Sequence, residues 1–202
     1  MNGHAELLNS LIAAHFHKLR TIEWLSPLAS DDFAESRDRG FLQRIGHPEL
    51  APKLGDFWPA RGPQWDALAR SDGGDIILVE AKAHIDELCS PPTQASEASR
   101  AKIEAALSFA AVACGAVPRA AWSGLFYQLA NRLAHLHLLR SEGISAYLVL
   151  VNFIRDTDMA GPTSEAEWKA AYRVAYHVMG LSAGSGLLRY VLHIYPDTSL
   201  LV

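Results

Sequence analysis

Residues 75–82 read Asp-Ile-Ile-Leu-Val-Glu-Ala-Lys, an aliphatic run of strand length whose last three residues carry two charges. Ile76 to Val79 suit a strand buried on both faces, where charge is costly unless it is paired, coordinated or used. The residues ahead of this run supply its partner. Gln64 to Arg70 alternates and Ser71-Asp72-Gly73-Gly74 turns the chain, so the segment predicts a hairpin. A three-residue loop, Asp72-Gly73-Gly74, with Gly74 left-handed, would pair Ser71 with Asp75 and Asp66 with Glu80. A chain with such a strand has to build a sheet around it.

Helices supply most of the rest. Leu7, Leu8, Leu11, Ile12, Phe16 and Leu19 recur at three- and four-residue spacings, which predicts an amphipathic helix over 5–20. From Ser26 to Pro63, prolines and glycines punctuate the chain too often for a long element, leaving room for a short helix within Asp31–Ile45 and a loop packed by Phe57 and Trp58. A helix is expected from about Thr93 to Cys114, stopped by Gly115 and Pro118, and another from a Ser123 cap through Leu139. Ile144–Ile154 reads as a central strand. Ser164 and Glu167 form a capping-box pattern ahead of a helix ended by Gly180, and Leu187–Tyr195 reads as the last strand. Strands interleaved with helices indicate an α/β domain whose mixed sheet is covered by helices.

Composition bounds the possibilities. With 202 residues, 50% hydrophobic and 20% charged, the chain is long enough for one domain, 1–202, burying about 70% of its unfolded surface, and too apolar for a disordered or charge-dense coiled chain. Its longest apolar run, Ala105–Val117, is broken by Ser108 and Gly115 and falls short of the roughly 20 residues of a membrane span, so no membrane association is expected. No basic segment leads into an apolar one near the start, which makes the cytoplasm the expectation. Cys89 and Cys114 are too few and too isolated for a disulfide framework and read as reduced thiols.

The chemistry concentrates in the hairpin. Residues two apart on a strand share a face about 6.6 Å apart, so Glu80 and Lys82 project together. Directly opposed Cβ atoms lie about 4.5–5.5 Å apart, which would let Asp66 and Glu80 share one hard cation. Lys82 beside them could position a water or stabilise charge on a phosphate. The plainer reading is a surface Glu80–Lys82 pair with Asp66 in a turn.

These residues carry a resemblance. The stretch from Trp58 to His84, with Asp66 on one strand and Glu80-Ala81-Lys82 on the next, resembles the PD-(D/E)XK phosphodiesterase superfamily of restriction-endonuclease-like nucleases. The resemblance implies a three-layer α/β/α fold with a mixed central sheet and divalent-metal-dependent hydrolysis of nucleic-acid phosphodiester bonds, with DNA ahead of RNA as partner. It implies Mg²⁺ or Mn²⁺ held by Asp66, Glu80 and the carbonyl of Ala81, with Asp66, Glu80 and Lys82 as the catalytic set. Trp65 precedes Asp66 where the family often has proline. The family often adds an acid from the first helix, for which Glu6, Glu23 and Glu35 are candidates, and a polar residue from a later helix, for which Gln128 is one. The alternative is a catalytically inactive module of the same fold that binds nucleic acid or a protein partner.

A net charge of −4 argues against a broadly basic nucleic-acid surface, yet no acidic residue lies between Glu104 and Glu142, while Arg119, Arg132 and Arg140 do. Gln128 and Arg132, with Tyr127 and Arg140, are candidate contacts to phosphates or bases. Trp58 and Trp65 could stack on bases, although aromatic residues beside a hairpin usually belong to the core. Gly180-Leu-Ser-Ala-Gly184 has the G-x-S-x-G pattern of hydrolases but lies between a helix and a strand in the wrong order. His15-x-His17 and His135-x-His137 put their rings on opposite sides of a helix, unable to share an ion.

Overall fold

The structure, a computed structural model, describes residues 5–16, 19 and 21–200. The chain runs through α1 (Ala5–His15), β1 (Ile22–Ser26), α2 (Asp38–Ile45), α3 (Ala51–Phe57), β2 (Ala67–Ser71), β3 (Ile76–Lys82), α4 (Glu97–Cys114), α5 (Tyr127–Ser141), β4 (Ala146–Asn152), α6 (Glu165–Met179) and β5 (Val191–Ile194). The sheet has the order β1-β2-β3-β4-β5. β1, β2 and β3 form an antiparallel meander, and β4 and β5 add to it in parallel. Among the described residues this is an α/β protein with a five-stranded mixed sheet and six helices.

Alternating side chains divide the core in two. Ile76, Leu78, Leu148 and Leu150 belong to the larger cluster with the buried stripes of α2 to α6, including Phe41, Ile103, Leu133 and Trp168. Ile77, Val79, Val149 and Val151 belong to the smaller one with Leu8 and Ile12 of α1. Both parallel connections, through α4 and α5 and then through α6, thus lie on one face, as right-handed crossovers stepping the same way require. This layering is compatible with a three-layer α/β/α arrangement, in which α1 is the one helix on the second face among the described residues.

The hairpin follows the turn chemistry. Gly74 takes φ +83°, and Ser71 and Asp75 close the loop through a backbone bond of 2.9 Å from Ser71 N–H. A left-handed residue there is what glycine accommodates without steric cost.

Other boundaries differ from the expectations. α1 stops at His15, and residues 17, 18 and 20 of the expected helix lie outside the described residues. β1 was not anticipated; α2 is the short helix expected within Asp31–Ile45, whereas a second short helix, α3, occupies part of the stretch expected to be loop. Ser123 does not cap α5, which begins four residues later; the Gln128 N–H is instead met by the hydroxyl of Ser90, 2.9 Å away, from the segment after β3. Before α6, Ser164 donates its hydroxyl to the Glu167 carboxylate at 2.7 Å rather than accepting from the helix backbone. β5 is shorter than expected because Gly186–Tyr190 forms a 3-10 turn. Gly186 has φ +49°, and a Cβ there would lie 2.4 Å from the Ala113 carbonyl oxygen, so the chain is pressed against the end of α4 where a strand was expected.

Among the described residues, no helix is long and apolar enough to cross a membrane.

Candidate functional site

β3 lies between β2 and β4 with helices packed on both faces of the sheet, so its side chains are buried, and Glu80 and Lys82 follow Ile76 and Leu78 onto the face covered by α5. Both are buried, at 3% and 4% exposure. Ala67 pairs with Val79, so the next step of the register sets Asp66 opposite Glu80. Asp66 sits one residue before β2, and its Oδ2 accepts the Ala81 N–H at 2.7 Å. The hairpin thus brings Asp66, Glu80, Ala81 and Lys82 together.

α5 completes the arrangement. The Lys82 ammonium donates to Glu80 Oε1 at 3.2 Å and to Gln128 Oε1 at 2.7 Å. Arg132, one turn after Gln128, is 4% exposed and grips Glu80 Oε2 through Nε at 2.6 Å and Nη2 at 2.5 Å. The same guanidinium donates to Asn131 Oδ1 at 2.9 Å and to the Gln64 carbonyl at 2.8 Å, and lies 4.9 Å from the Trp65 ring centroid. A buried carboxylate with a charged partner on each oxygen is the arrangement burial demands.

Asp66 is the exception. Its pKa is pushed up to about 6, first by burial and then by the charge of Glu80, against the opposing pull of the Ala81 N–H and of Arg132. A further, smaller push comes from Glu35. An isolated antiparallel bridge between Ser36 and Trp65 places Glu35 beside Asp66. Of the three acids considered for a supporting role, Glu35 is the one whose charge is felt at Asp66, from an extended segment rather than a helix, without converging on Asp66 and Glu80 as a third ligand. Glu6 is exposed on α1, across the sheet, and Glu23 sits on β1 opposite Arg70.

The donor set suits a hard divalent cation. Asp66 Oδ1 makes no hydrogen bond among the described residues, and its pKa is raised first by burial and then by the charge of Glu80, both of which a cation would offset. No three His, Cys, Asp or Glu side chains converge among the described residues. Mg²⁺ keeps several waters and takes further oxygens from substrate, so two carboxylates would suffice only if Glu80 offered an oxygen now held by Lys82 or Arg132. Glu80 would have to share Oε1 or Oε2 with the cations already on it.

A cleft of about 610 Å³ opens beside the network, lined by Ser90, Pro92, Tyr127, Gln128 and Asn131. Gln128 and Asn131 are shared: each borders the cleft and holds one of the two cations on Glu80. Asn131, Ser90 and the Gln64 carbonyl were not singled out from the sequence, since their roles depend on long-range packing.

The other sequence candidates are placed differently. Arg132 is turned into the sheet and not toward solvent, because Glu80 beneath α5 needs a partner. Arg140 donates to the Ala146 carbonyl at 2.9 Å and lies over the Tyr190 ring. The run without acids therefore builds a buried helix and not a basic face. Trp58 and Trp65 are core residues at 3% and 0% exposure, closed off from stacking on a base. Cys89 and Cys114 are free thiols. His135 is buried against Trp58, and its Nδ1 lies 2.9 Å from the Asn131 carbonyl.

No protein-family model, curated protein or solved structure matches this chain.

Proposed function

We propose that the protein is a divalent-metal-dependent nuclease of restriction-endonuclease-like fold that hydrolyses nucleic-acid phosphodiester bonds, DNA in the first instance. The observation that carries this reading is Asp66 one register step beyond the Ala67–Val79 pair and bonded to the Ala81 N–H, beside Glu80, with Lys82 on the Glu80 face and its ammonium within hydrogen-bond reach of both Glu80 and Gln128. Asp66, Glu80 and the Ala81 carbonyl would hold Mg²⁺ or Mn²⁺, which when bound lowers the pKa of water and offsets charge on the phosphate. Asp66 is fixed for this by the Ala81 N–H, which takes one carboxylate oxygen and leaves the other free.

Lys82 has three N–H donors, two of them engaged; the third serves the attacking water or a non-bridging phosphate oxygen. Gln128 holds the ammonium in place through its carbonyl, and its amide, at the cleft, is free to meet a phosphate or base. Arg132 acts on the substrate only through Glu80, whose position it fixes.

One observation favours a second reading. Glu80 is already neutralised by Lys82 and a two-nitrogen contact from Arg132, as it would be in an inactive module that keeps the fold for binding. The deciding experiment incubates the protein with single-stranded, double-stranded and structured DNA and RNA in Mg²⁺, Mn²⁺ or EDTA, beside Asp66→Ala. Metal-dependent cleavage lost in the variant is expected. Absence of cleavage on every substrate overturns the nuclease in favour of the binding module.

A further inference from the structure

The β5 edge of the sheet carries a second constellation, unrelated to the carboxylates of β3. On α6, Lys169, Arg173 and His177 recur every fourth residue, and Tyr172 and Tyr176 lie one residue ahead of Arg173 and His177. A basic stripe therefore runs beside an aromatic one along one side of the helix. β5 and the residue after it face that side with His193 and Tyr195. The Tyr176 hydroxyl and His193 Nε2 are hydrogen-bonded at 2.8 Å, and Tyr172 meets the His193 ring edge-on with centroids 4.3 Å apart. The His193 and Tyr195 rings are stacked, 6.5 Å apart at 14°.

These groups line a cavity of about 480 Å³ with Leu181 in its wall. That volume lies within the roughly 300–1,000 Å³ of small-molecule sites, which combine apolar and aromatic walls with a few convergent polar groups. Aromatic walls select a flat ring. The rim selects charge: no carboxylate lines the cavity among the described residues. Lys169 is paired with Glu165, one turn back, whereas Arg173 is exposed and in no ion pair among the described residues. The His193 ring is neutral, since burial pushes its pKa down to about 4, and its Nδ1 is buried without a partner. The histidine is thus a hydrogen-bonding wall, and the positive charge is left to Arg173 and Lys169.

We propose that this cavity binds a small planar aromatic anion, a ring bearing a carboxylate or phosphate, with the ring against Tyr176 and Tyr195 and the anionic group at Arg173. The site is independent of the hydrolytic reading of Asp66, Glu80 and Lys82.

Isothermal titration of the full chain with adenosine 5′-monophosphate and with 4-hydroxybenzoate distinguishes a phosphate-bearing from a carboxylate-bearing ligand. Adenosine and inorganic phosphate, each lacking one half of the recognised chemistry, serve as controls. At least one aromatic anion should bind with a Kd below about 1 mM, and both controls about tenfold or more weaker. Arg173→Ala, at an exposed position, should weaken binding about tenfold or more, because it removes a charge-assisted contact. Tyr195→Leu should weaken it with the charge left in place, and Lys82→Ala should bind as the wild type does. Failure of both aromatic anions to bind overturns the proposal. So does binding indifferent to Arg173 and Tyr195, or binding lost with Lys82, which would place the ligand at the other site.

Discussion

The two faces of β3 and β4 are built from the same strands at the same depth, yet they differ. Toward α1 the side chains are Ile77, Val79, Tyr147, Val149 and Val151, with nothing charged. Toward α5 they begin alike, with Ile76, Leu78, Leu148 and Leu150, and then change to Glu80, Lys82 and Asn152, all buried. The sheet itself does not call for charge, since the α1 face manages without it. Desolvating an ion costs several kcal/mol, and well-packed apolar residues often replace a buried ion pair with no loss or a gain. Charge confined to one face, at the end of β3 opposite the uncharged Asn152 of its parallel neighbour β4 and beside a cleft, is therefore better explained by chemistry than by stability.

Substitutions on the two faces test that difference, the largest effect first. Glu80→Ala leaves the Lys82 and Arg132 cations buried without their carboxylate and should cost about 3–5 kcal/mol in urea denaturation. Val79→Ala, its neighbour on the other face, should cost about 1–3 kcal/mol through lost burial and a small cavity. Replacing the charges together, as Glu80→Leu with Lys82→Met and Arg132→Met, should instead be neutral or stabilising by up to about 4 kcal/mol while abolishing cleavage. If the triple variant is as unstable as Glu80→Ala, the network is structural and the contrast between the faces loses its meaning.

Lys82→Ala sharpens the same contrast kinetically. Glu80 keeps both contacts from Arg132, so the fold should survive. Single-turnover cleavage at saturating Mn²⁺ should fall about 10²–10³-fold, the scale of a lost electrostatic contact to the transition state, with metal affinity little changed. Cleavage indifferent to Lys82 would remove it from the reaction and leave the position with no role beyond packing.

The sequence exposed this contrast only in part, and the reason differs from element to element. The hairpin was legible because a two-residue period and a Gly-rich turn fix a register locally, and one register decides where Asp66, Glu80 and Lys82 point. β1 was missed: Ile22–Ser26 is a short edge strand whose partner, β2, lies more than forty residues on. The inward turn of Arg132 was not legible, because the apolar pattern of α5 is nearly continuous and its rotation is set by what packs on either side. Ser90 at the start of α5 and Glu35 beside Asp66 are contacts between segments far apart in the chain, with no spacing to announce them. The basic stripe on α6 was written at four-residue spacing, yet it acquires meaning only once β5 brings His193 and Tyr195 against it.

The smallest effect concerns Asp66, the one member of the site whose charge is poorly satisfied. Its pKa of about 6 in the folded protein exceeds the ordinary 3.8. Below pH 3.8 the carboxyl is protonated whether the chain is folded or not, and between there and about pH 6 the folded state holds its proton more tightly. The stability this confers is present in acid and lost as pH rises through 6. At about 1.4 kcal/mol per pKa unit the loss is at most about 3 kcal/mol, and solvent reaching this half-buried side chain brings it toward about 1 kcal/mol. Asp66→Asn keeps an acceptor for the Ala81 N–H without the charge, so in EDTA it should be about 1–3 kcal/mol more stable than wild type near pH 8 and equal to it near pH 3.5. His135 and His193, whose pKa values burial lowers to about 4, make both proteins less stable as pH falls below their ordinary value, and this cancels in the difference. Mn²⁺ at a hundred times its Kd should then stabilise wild type by about 2.7 kcal/mol and the variant by much less. Equal metal shifts would exclude Asp66 as a ligand, whereas a variant no more stable than wild type at pH 8 would mean that the carboxylate is already well accommodated and the α5 face has no unmet demand for a cation.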